Sequence, residues 1–259
     1  MDRLTFWGTG DSMGVPRVYC ECGVCREART SGRNRRLRSS VELTTGDGPL
    51  LIDCGPDWKA QMERFGRREM KRVLMTHAHF DHMAGLPEWA DSCRWTKNTG
   101  RLFGPEEVLA TVRERYPWLE SSLTFHEADQ GLSFGGWTIE PFKVPHGKNG
   151  FSYAYRFAKN GYRWVYCPDS INLSEEAKAF FSGVDLLVLG TSFYKEEFPY
   201  HTRSVYDMIE GQELVRELGA GQAVFTHMSH DVDLGRTYLL PPNIRLAETG
   251  LSLELGWEA

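Results

Sequence analysis

The sequence predicts an α/β fold in which helices pack outside two facing sheets. Strand-like runs alternate with helical patterns, and this succession of strands followed by helices is repeated in two halves of the chain. A length of 259 residues with 41% hydrophobic residues suits one sizeable domain with a well-buried core. We therefore predict a single domain over residues 1–259, without internal repeats or low-complexity tracts.

The predicted strands are short runs rich in β-branched, aromatic or other apolar residues and bounded by turn-forming residues. We place them at residues 3–7, 40–44, 49–53, 72–76, 101–104, 123–125, 137–144, 151–158, 161–167, 184–189, 222–226 and 251–255. Helices are predicted where apolar residues recur at helical spacing, at residues 56–65, 83–95, 105–115, 174–182 and 202–218. The turn sequence Asn160-Gly161 joins two of the strands into a hairpin.

A dense group of metal-binding side chains follows one of these strands. Residues 77–82 read HAHFDH and offer three imidazoles and one carboxylate. An extended chain turns alternate side chains to the same side, so His77 and His79 can reach one ion. The tighter turn that follows directs Asp81 and His82 toward a second, adjacent ion. The alternative, a turn with solvent-exposed histidines, would leave these groups crowded without a partner.

Two ions need more ligands than this segment supplies, and three isolated residues fit that need. His146, Asp169 and His227 each follow a predicted strand. Taken singly, each of them is more typical of a capped turn or an ordinary loop residue. Together with the cluster at residues 77–82, they favour a binuclear metal centre at the ends of several strands.

The order H-x-H-x-D-H followed by H, D and H resembles the metallo-β-lactamase superfamily, and the match runs through most of the chain. Glycine-rich loops at residues 8–16 and 51–55 support it, because glycine lets backbone approach a site closely. The resemblance implies a four-layer αβ/βα sandwich with two facing mixed sheets and outer helices. It implies two divalent ions, one held by His77, His79 and His146, the other by Asp81, His82 and His227, with Asp169 bridging them.

A second metal site is predicted near the N-terminus, where Cys20, Cys22 and Cys25 bring three thiols into six residues. Thiolates at this spacing suit a tetrahedral structural zinc, and His230 is the candidate for the fourth ligand. Since His230 lies three residues beyond His227, such a zinc would tie the N-terminal loop to the loop that carries His227. The alternative is three free thiols.

This zinc knuckle at residues 20–25, together with His-x-x-His near the C-terminus, narrows the resemblance. It is similar to the cyclic-phosphate phosphodiesterase family of the carbon-phosphorus lyase (phosphonate) pathway. His201 matches a histidine with which that family contacts the reacting phosphoryl group. The resemblance implies a phosphoric diester hydrolase acting on a small cyclic sugar phosphate, such as 5-phosphoribosyl 1,2-cyclic phosphate, and it suggests a homodimer. Residues 190–194 lack an acidic residue that relatives often carry, which bears on substrate choice.

The expected reaction uses a hydroxide that bridges the two metal ions, because bound cations lower the pKa of water from 15.7 to about 7. Asp81 and His201 are the candidate catalytic residues for the proton of the leaving alkoxide. Imidazole and carboxylate ligands accept zinc, manganese and iron, so the metals stay open. Two alternatives stay open as well: a metal-dependent thioester or lactone hydrolase of the same superfamily, and a non-catalytic metal-binding or ligand-binding protein.

Composition limits the classes of partner. A formal net charge of −5 argues against binding of long nucleic acid. The arginine-rich residues 26–38 are either a solvated face with one or two ion pairs or a source of contacts to the phosphate of a small substrate. The sequence shows no basic-then-apolar leader and no apolar run of membrane-spanning length, so we expect a soluble, cytoplasmic protein that does not bind membranes.

Overall fold

Two seven-stranded sheets form the centre of the protein in the computed structural model, which describes residues 1–256. The strands of the first sheet are, in spatial order, β14 (Ser252–Leu255), β1 (Asp2–Gly8), β2 (Ser40–Thr45), β3 (Gly48–Ile52), β4 (Arg72–Leu74), β5 (Gly100–Gly104) and β6 (Leu123–Glu127). Those of the second sheet are β13 (Ile244–Leu246), β12 (Gln222–Thr226), β11 (Leu186–Gly190), β10 (Tyr162–Cys167), β9 (Phe151–Lys159), β8 (Trp137–Pro145) and β7 (Leu132–Phe134).

Both sheets are mixed in the same way. In the first, the strand pairs from β14 to β3 are antiparallel and those from β3 to β6 are parallel. In the second, the pairs from β7 to β10 are antiparallel and those from β10 to β13 are parallel. The two halves predicted from the sequence thus correspond to two sheets with the same order of antiparallel and parallel pairs. The predicted fold class is confirmed.

Seven α-helices accompany the strands within residues 1–256. They are α1 (Gly23–Thr30), α2 (Trp58–Arg64), α3 (Phe80–Met83), α4 (Leu86–Thr96), α5 (Glu106–Arg115), α6 (Glu175–Phe181) and α7 (Met208–Leu218). Within this described range, no helix combines the length and apolar character needed to cross a bilayer.

The core is divided by the alternation of side chains along each strand. Leu74 on β4 belongs to the apolar cluster that contains Trp164 of the second sheet, whereas its neighbour Val73 belongs to a separate cluster. That separate cluster includes Trp89 of α4 and Val108 of α5, so these helices cover the outer face of the first sheet. Burial of both faces explains why the central strands are almost wholly apolar.

The structure differs from the prediction in several places. The short strands β7 and β13 and the helices α1 and α3 were not predicted, and the helix predicted over residues 202–218 begins at Met208. Asp207 caps that helix, accepting a hydrogen bond from the backbone N–H of Glu210, whose side chain accepts one from the N–H of Asp207. The segment before the cap is extended because Tyr206 forms a β-bridge with Thr191. Residues 257–259 of the predicted domain lie outside the described range, and the domain assignment stays a prediction.

Candidate metal centre

The residues of the predicted centre lie at one edge of the two sheets. In the first sheet, β4 is parallel to both of its neighbours, and the chain beyond it leads to His77 and His79. The chain then turns into α3, which carries Asp81 and His82. A single extended segment followed by one helical turn therefore presents four candidate ligands, as the spacing predicts.

The second sheet supplies the remaining candidates from the ends of three strands. His227 follows β12 directly, and Asp169 lies two residues beyond β10. His146 follows β8, which runs in the same direction as β10 because β9 is antiparallel to both. Strand ends separated by up to 81 residues therefore meet at one edge of the sheet.

These side chains form closely spaced groups. The ligand atoms of His77, His79 and His146 lie within 4.8 Å of one another, and so do those of a second group that contains Asp81, His82 and His227. Asp169 lies between the two groups. Its Oδ2 is 2.8 Å from Nε2 of His82 and 4.0 Å from Nε2 of His77, while its Oδ1 is 3.1 Å from Nε2 of His227 and 3.9 Å from Nε2 of His146.

Two imidazoles of the centre, those of His82 and His146, are oriented through their outer nitrogens. Nδ1 of His82 lies 2.7 Å from Oδ2 of Asp53, and Nδ1 of His146 lies 2.7 Å from the carbonyl oxygen of Ser204. Both partners are acceptors, so each Nδ1 carries a proton and each Nε2 is turned toward Asp169. This is the arrangement that metal-binding histidines adopt in proteins.

Asp53 also reaches His77, through Thr76. The Thr76 hydroxyl lies 3.0 and 2.9 Å from the two Asp53 carboxylate oxygens and 3.0 Å from Nδ1 of His77. Because the hydroxyl has a single proton, donation to the carboxylate leaves its oxygen to accept from the imidazole. One fully buried carboxylate thus orients two candidate ligands. Asp53 adopts the left-handed backbone conformation, with φ of 65°, which is uncommon outside glycine, asparagine and aspartate.

The loop at residues 51–55 packs directly against the turn that carries Asp81. The Cys54 N–H donates to the carbonyl of His82, and a Cβ placed on Gly55 would lie 2.0 Å from the carbonyl oxygen of Asp81. Only glycine permits this approach. The glycine of this motif therefore sets the distance between the loop that carries Asp53 and the helical turn.

The electrostatics of the centre favour cations. Burial on its own raises the pKa of the Asp169 carboxyl, but the imidazoles of His227 and His82 hold that pKa well below its usual range. Burial lowers the pKa of His77, and the neighbouring His82 lowers it further. Burial lowers the pKa of His82 and of His227, but the carboxylates raise both above the usual value, so these imidazoles balance the carboxylate charge, a role that divalent cations would take over.

The predicted zinc knuckle is also assembled. The ligand atoms of Cys20, Cys22, Cys25 and His230 lie within 4.8 Å of one another. Nδ1 of His230 is 3.6 Å from the Cys22 sulfur and 3.4 Å from the Cys25 sulfur. Three sulfurs and one imidazole nitrogen form the donor set of a closed structural zinc site.

Four arginines of the segment at residues 26–38 have structural contacts. Arg29 donates to the carbonyl oxygen of Cys20, and Arg35 donates to that of Ala28. Arg36 is 1% exposed and donates to the carbonyl oxygens of Ser229 and Val232, so it holds the loop that carries His227 and His230. Arg38 pairs with Asp57 at 3.1 Å.

His201 lies apart from both groups. It is exposed, on the single 3₁₀ turn Tyr200–Thr202. This turn packs against another at Gly147–Asn149, directly after His146. The loop of His201 also provides Ser204, which accepts the hydrogen bond from His146. The structure therefore places His201 beside the centre, on a loop that contacts one of its imidazoles.

Comparison with known proteins identifies the family. Residues 49–228 match the family model described as the beta-lactamase superfamily domain. The chain belongs to the metallo-β-lactamase superfamily. The fold of this superfamily implies divalent metal ions, and membership points to a metal-dependent hydrolase. The resemblance predicted from the sequence is confirmed.

Solved structures and sequences contain close relatives of this metallo-β-lactamase superfamily member. A crystal structure of a diphosphatase from the PhnP family superposes with a TM-score of 0.86 at 28% sequence identity, covering 98% of each chain. This agrees with the predicted likeness to a phosphonate-pathway hydrolase. The probable metallo-hydrolase YhfI of Bacillus subtilis is 25% identical over 203 residues, which cover 74% of this chain and 80% of that protein.

A third relative is longer than this chain. An octanoyltransferase of Porphyromonas gingivalis is 29% identical over 265 residues, covering 96% of this chain. The match spans only 51% of that protein. The activity of that longer protein is therefore not attributed to this chain.

Proposed function

We propose that this protein is a binuclear metal-dependent phosphodiesterase that hydrolyses a small cyclic sugar phosphate diester, such as 5-phosphoribosyl 1,2-cyclic phosphate. The observation that carries the proposal is the buried cluster of imidazoles around Asp169. It is supported by the 28% identity, over 98% of the chain, to a diphosphatase of the PhnP family. A diphosphatase acts on a phosphoryl group, and this supports the proposal of phosphoryl chemistry at the centre.

The side chains present fit a pair of metal ions. Nε2 of His77 is buried and forms no hydrogen bond within the described chain, and Nε2 of His82 and of His227 face the carboxylates of Asp81 and Asp169. Unpaired buried polar atoms are costly, and ligation to a cation relieves that cost. We assign His77, His79 and His146 to one ion and Asp81, His82 and His227 to the other, with Asp169 bridging. When bound, such ions supply Lewis acidity and an acidified water at neutral pH.

The protein's own part is to fix this arrangement and to manage protons. Asp53 and Ser204 fix the ring orientations of His82 and His146, so that little reorganisation is needed during the reaction. The imidazole of His201, on the adjacent loop, would donate a hydrogen bond to the phosphoryl oxygens and a proton to the leaving alkoxide. Asp81 is the second candidate for that proton.

The knuckle has a structural role in this proposal. We assign one zinc ion to Cys20, Cys22, Cys25 and His230, because a closed set of three sulfurs and one nitrogen leaves no position for a substrate. Its contribution would be to the stability of the loop at residues 227–232.

The test is hydrolysis of 5-phosphoribosyl 1,2-cyclic phosphate beside a linear aryl phosphodiester, by purified protein reconstituted with manganese or with zinc. A strong preference for the cyclic substrate is the expected result. Activity on the linear diester alone would support phosphodiester hydrolysis but contradict the proposed cyclic substrate. Activity on a thioester or lactone, with none on either phosphodiester, would overturn the proposal in favour of carbonyl hydrolysis.

The similarity to a diphosphatase of the PhnP family favours a second candidate function, hydrolysis of a diphosphate. A phosphoanhydride presents the same kind of phosphoryl centre to the metal ions, and fold alone does not separate the two substrates. A nucleoside diphosphate sugar in the same assay distinguishes them. A small phosphorylated substrate, a homodimer and a cytoplasmic location stay predictions, as does the absence of long nucleic acid and membranes among the partners.

A further inference from the structure

A cavity of about 280 Å³ lies beside the metal centre. Its wall includes Ser192 and Ser204, and each of these residues contacts an imidazole of the centre. The Ser204 carbonyl oxygen is 2.7 Å from Nδ1 of His146, and the Ser192 hydroxyl is 3.4 Å from Nδ1 of His227. Only one residue therefore lies between the cavity and each of these two imidazoles.

Size and lining restrict what the cavity can hold. Pockets for drug-sized ligands run from about 300 to 1,000 Å³, so 280 Å³ suits a fragment of a small substrate. Phe193 and Phe198 supply an apolar side, with ring centroids 6.1 Å apart, and residue Phe198 is 63% exposed. Such a lining accepts the carbon skeleton of a substrate beside a polar group.

Two cationic side chains line the cavity, Arg203 and Lys148, and among the described residues only Arg203 has carboxylate partners. Arg203 is surrounded by carboxylates: its Nε is 3.0 Å from Glu196, and its Nη1 is 2.9 Å from Glu210. Lys148 also lines the cavity, two residues after His146, and forms no ion pair with any residue in the described range 1–256. Lys148 is therefore the wall cation that is available to an anionic ligand.

We propose that Lys148 and this cavity form a subsite for a second, non-reacting phosphate of the substrate, while the diester reacts at the metal centre. The inference rests on the proposed function and sharpens it: the preferred substrates are diesters that carry a terminal phosphate monoester on the same small skeleton. The ammonium group of Lys148 binds that phosphate through charge-assisted hydrogen bonds, and Phe193 and Phe198 pack against the skeleton.

The experiment compares two substrates that differ only in this phosphate, 5-phosphoribosyl 1,2-cyclic phosphate and ribose 1,2-cyclic phosphate. The wild-type protein should prefer the phosphorylated substrate in kcat/KM. Lys148→Met should reduce that preference about tenfold through KM, near the lower end for hydrogen bonds to charged groups because Lys148 is exposed. Lys148→Arg should restore most of the preference. Lys195→Met removes a lysine of the neighbouring loop that does not line the cavity, and it should leave the preference unchanged.

A binding measurement separates failure of this inference from failure of the proposed function. Calorimetric titration of the metal-loaded protein with ribose 5-phosphate needs no turnover, and its affinity should fall about tenfold in Lys148→Met. If neither cyclic phosphate is hydrolysed, the proposed function is wrong and this titration alone decides the subsite. Equal affinity in wild type and Lys148→Met, absent binding, or an unchanged substrate preference would each overturn the subsite.

Discussion

The most informative single substitution is Asp53→Asn, because Asp53 lies behind the metal centre, contacts the imidazole of His82 directly and reaches that of His77 through Thr76. Asparagine has nearly the same shape and also tolerates the left-handed backbone conformation that Asp53 adopts at φ of 65°. The substitution therefore removes the negative charge and leaves the backbone and the packing in place. Any loss of metal affinity then reports the orientation and polarisation of the ligands.

The expected magnitude follows from the contacts. Asp53 accepts directly from Nδ1 of His82 at 2.7 Å and reaches His77 through the Thr76 hydroxyl. A hydrogen bond to a charged group contributes about 1.5–3 kcal/mol, and a neutral acceptor retains about half of that. For the direct bond the loss is therefore about 0.8–1.5 kcal/mol, or roughly 4- to 13-fold in affinity, and the bond through Thr76 adds to it. Substitutions behind metal ligands generally cost about 10- to 100-fold.

The assay is competition for zinc with a chromogenic chelator, run on the apoprotein and read together with zinc content by mass spectrometry. Asp91→Asn is the matched control, since Asp91 is exposed on α4 and the change removes one carboxylate as well. Its zinc affinity should equal that of the wild type. Equal affinity in Asp53→Asn, with folding shown to be intact by circular dichroism, would refute the role assigned to Asp53.

Three further outcomes are expected. His201→Ala should lower kcat on phosphodiesters by about 10²- to 10⁴-fold and leave the metal content unchanged. The control His126→Ala removes an exposed histidine on the edge strand β6 and should alter neither kcat nor metal content. An unaffected rate in His201→Ala would contradict the role assigned to His201. Cys25→Ser should remove one equivalent of zinc and lower the Tm, and an unchanged zinc content would contradict the knuckle site. The Ser31 hydroxyl and nearby backbone N–H groups lower the pKa of Glu27 from 4.5 to about 2, so its ionised form stabilises the fold above pH 4.5 and this contribution is lost as the pH falls toward 2. The Tm of Glu27→Gln should therefore decrease less than that of the wild type over this range, and parallel curves would contradict the assignment.

The elements that the sequence predicts well are those with a strong local pattern. All twelve predicted strands have counterparts, because each is a run of apolar or alternating residues that ends in turn-forming residues. The missed strands Leu132–Phe134 and Ile244–Leu246 have three residues each, too few to establish alternation. Helix α1 was missed because Gly23 and Cys25, within the knuckle, indicated a metal-binding turn and masked the helix that begins there.

The candidate site divides in the same way. Histidines and aspartates directly after strands are visible in the sequence, and the structure brings the groups at residues 77–82, 146, 169 and 227 together. Asp53, Ser204 and Arg36 were not predicted as parts of the site. Their contacts join segments far apart in the chain, such as the 193 residues between Arg36 and Ser229, and only tertiary packing creates them. The one local signal for Asp53 was its place at the end of a strand, directly before the Cys-Gly pair.

One short loop, residues 227–230, connects the metal centre to the zinc knuckle. His227 belongs to the centre and His230 to the knuckle, and the intervening Met228 donates to the carbonyl of Thr9 while its own carbonyl accepts from Asp11. Arg36 fixes the carbonyls that follow. Since residues 227–230 form a short segment with both ends held in place, a displacement of His230 must also shift His227. Loss of the knuckle zinc should therefore weaken metal binding at the centre as well as the fold, although no residue of the knuckle belongs to the catalytic groups.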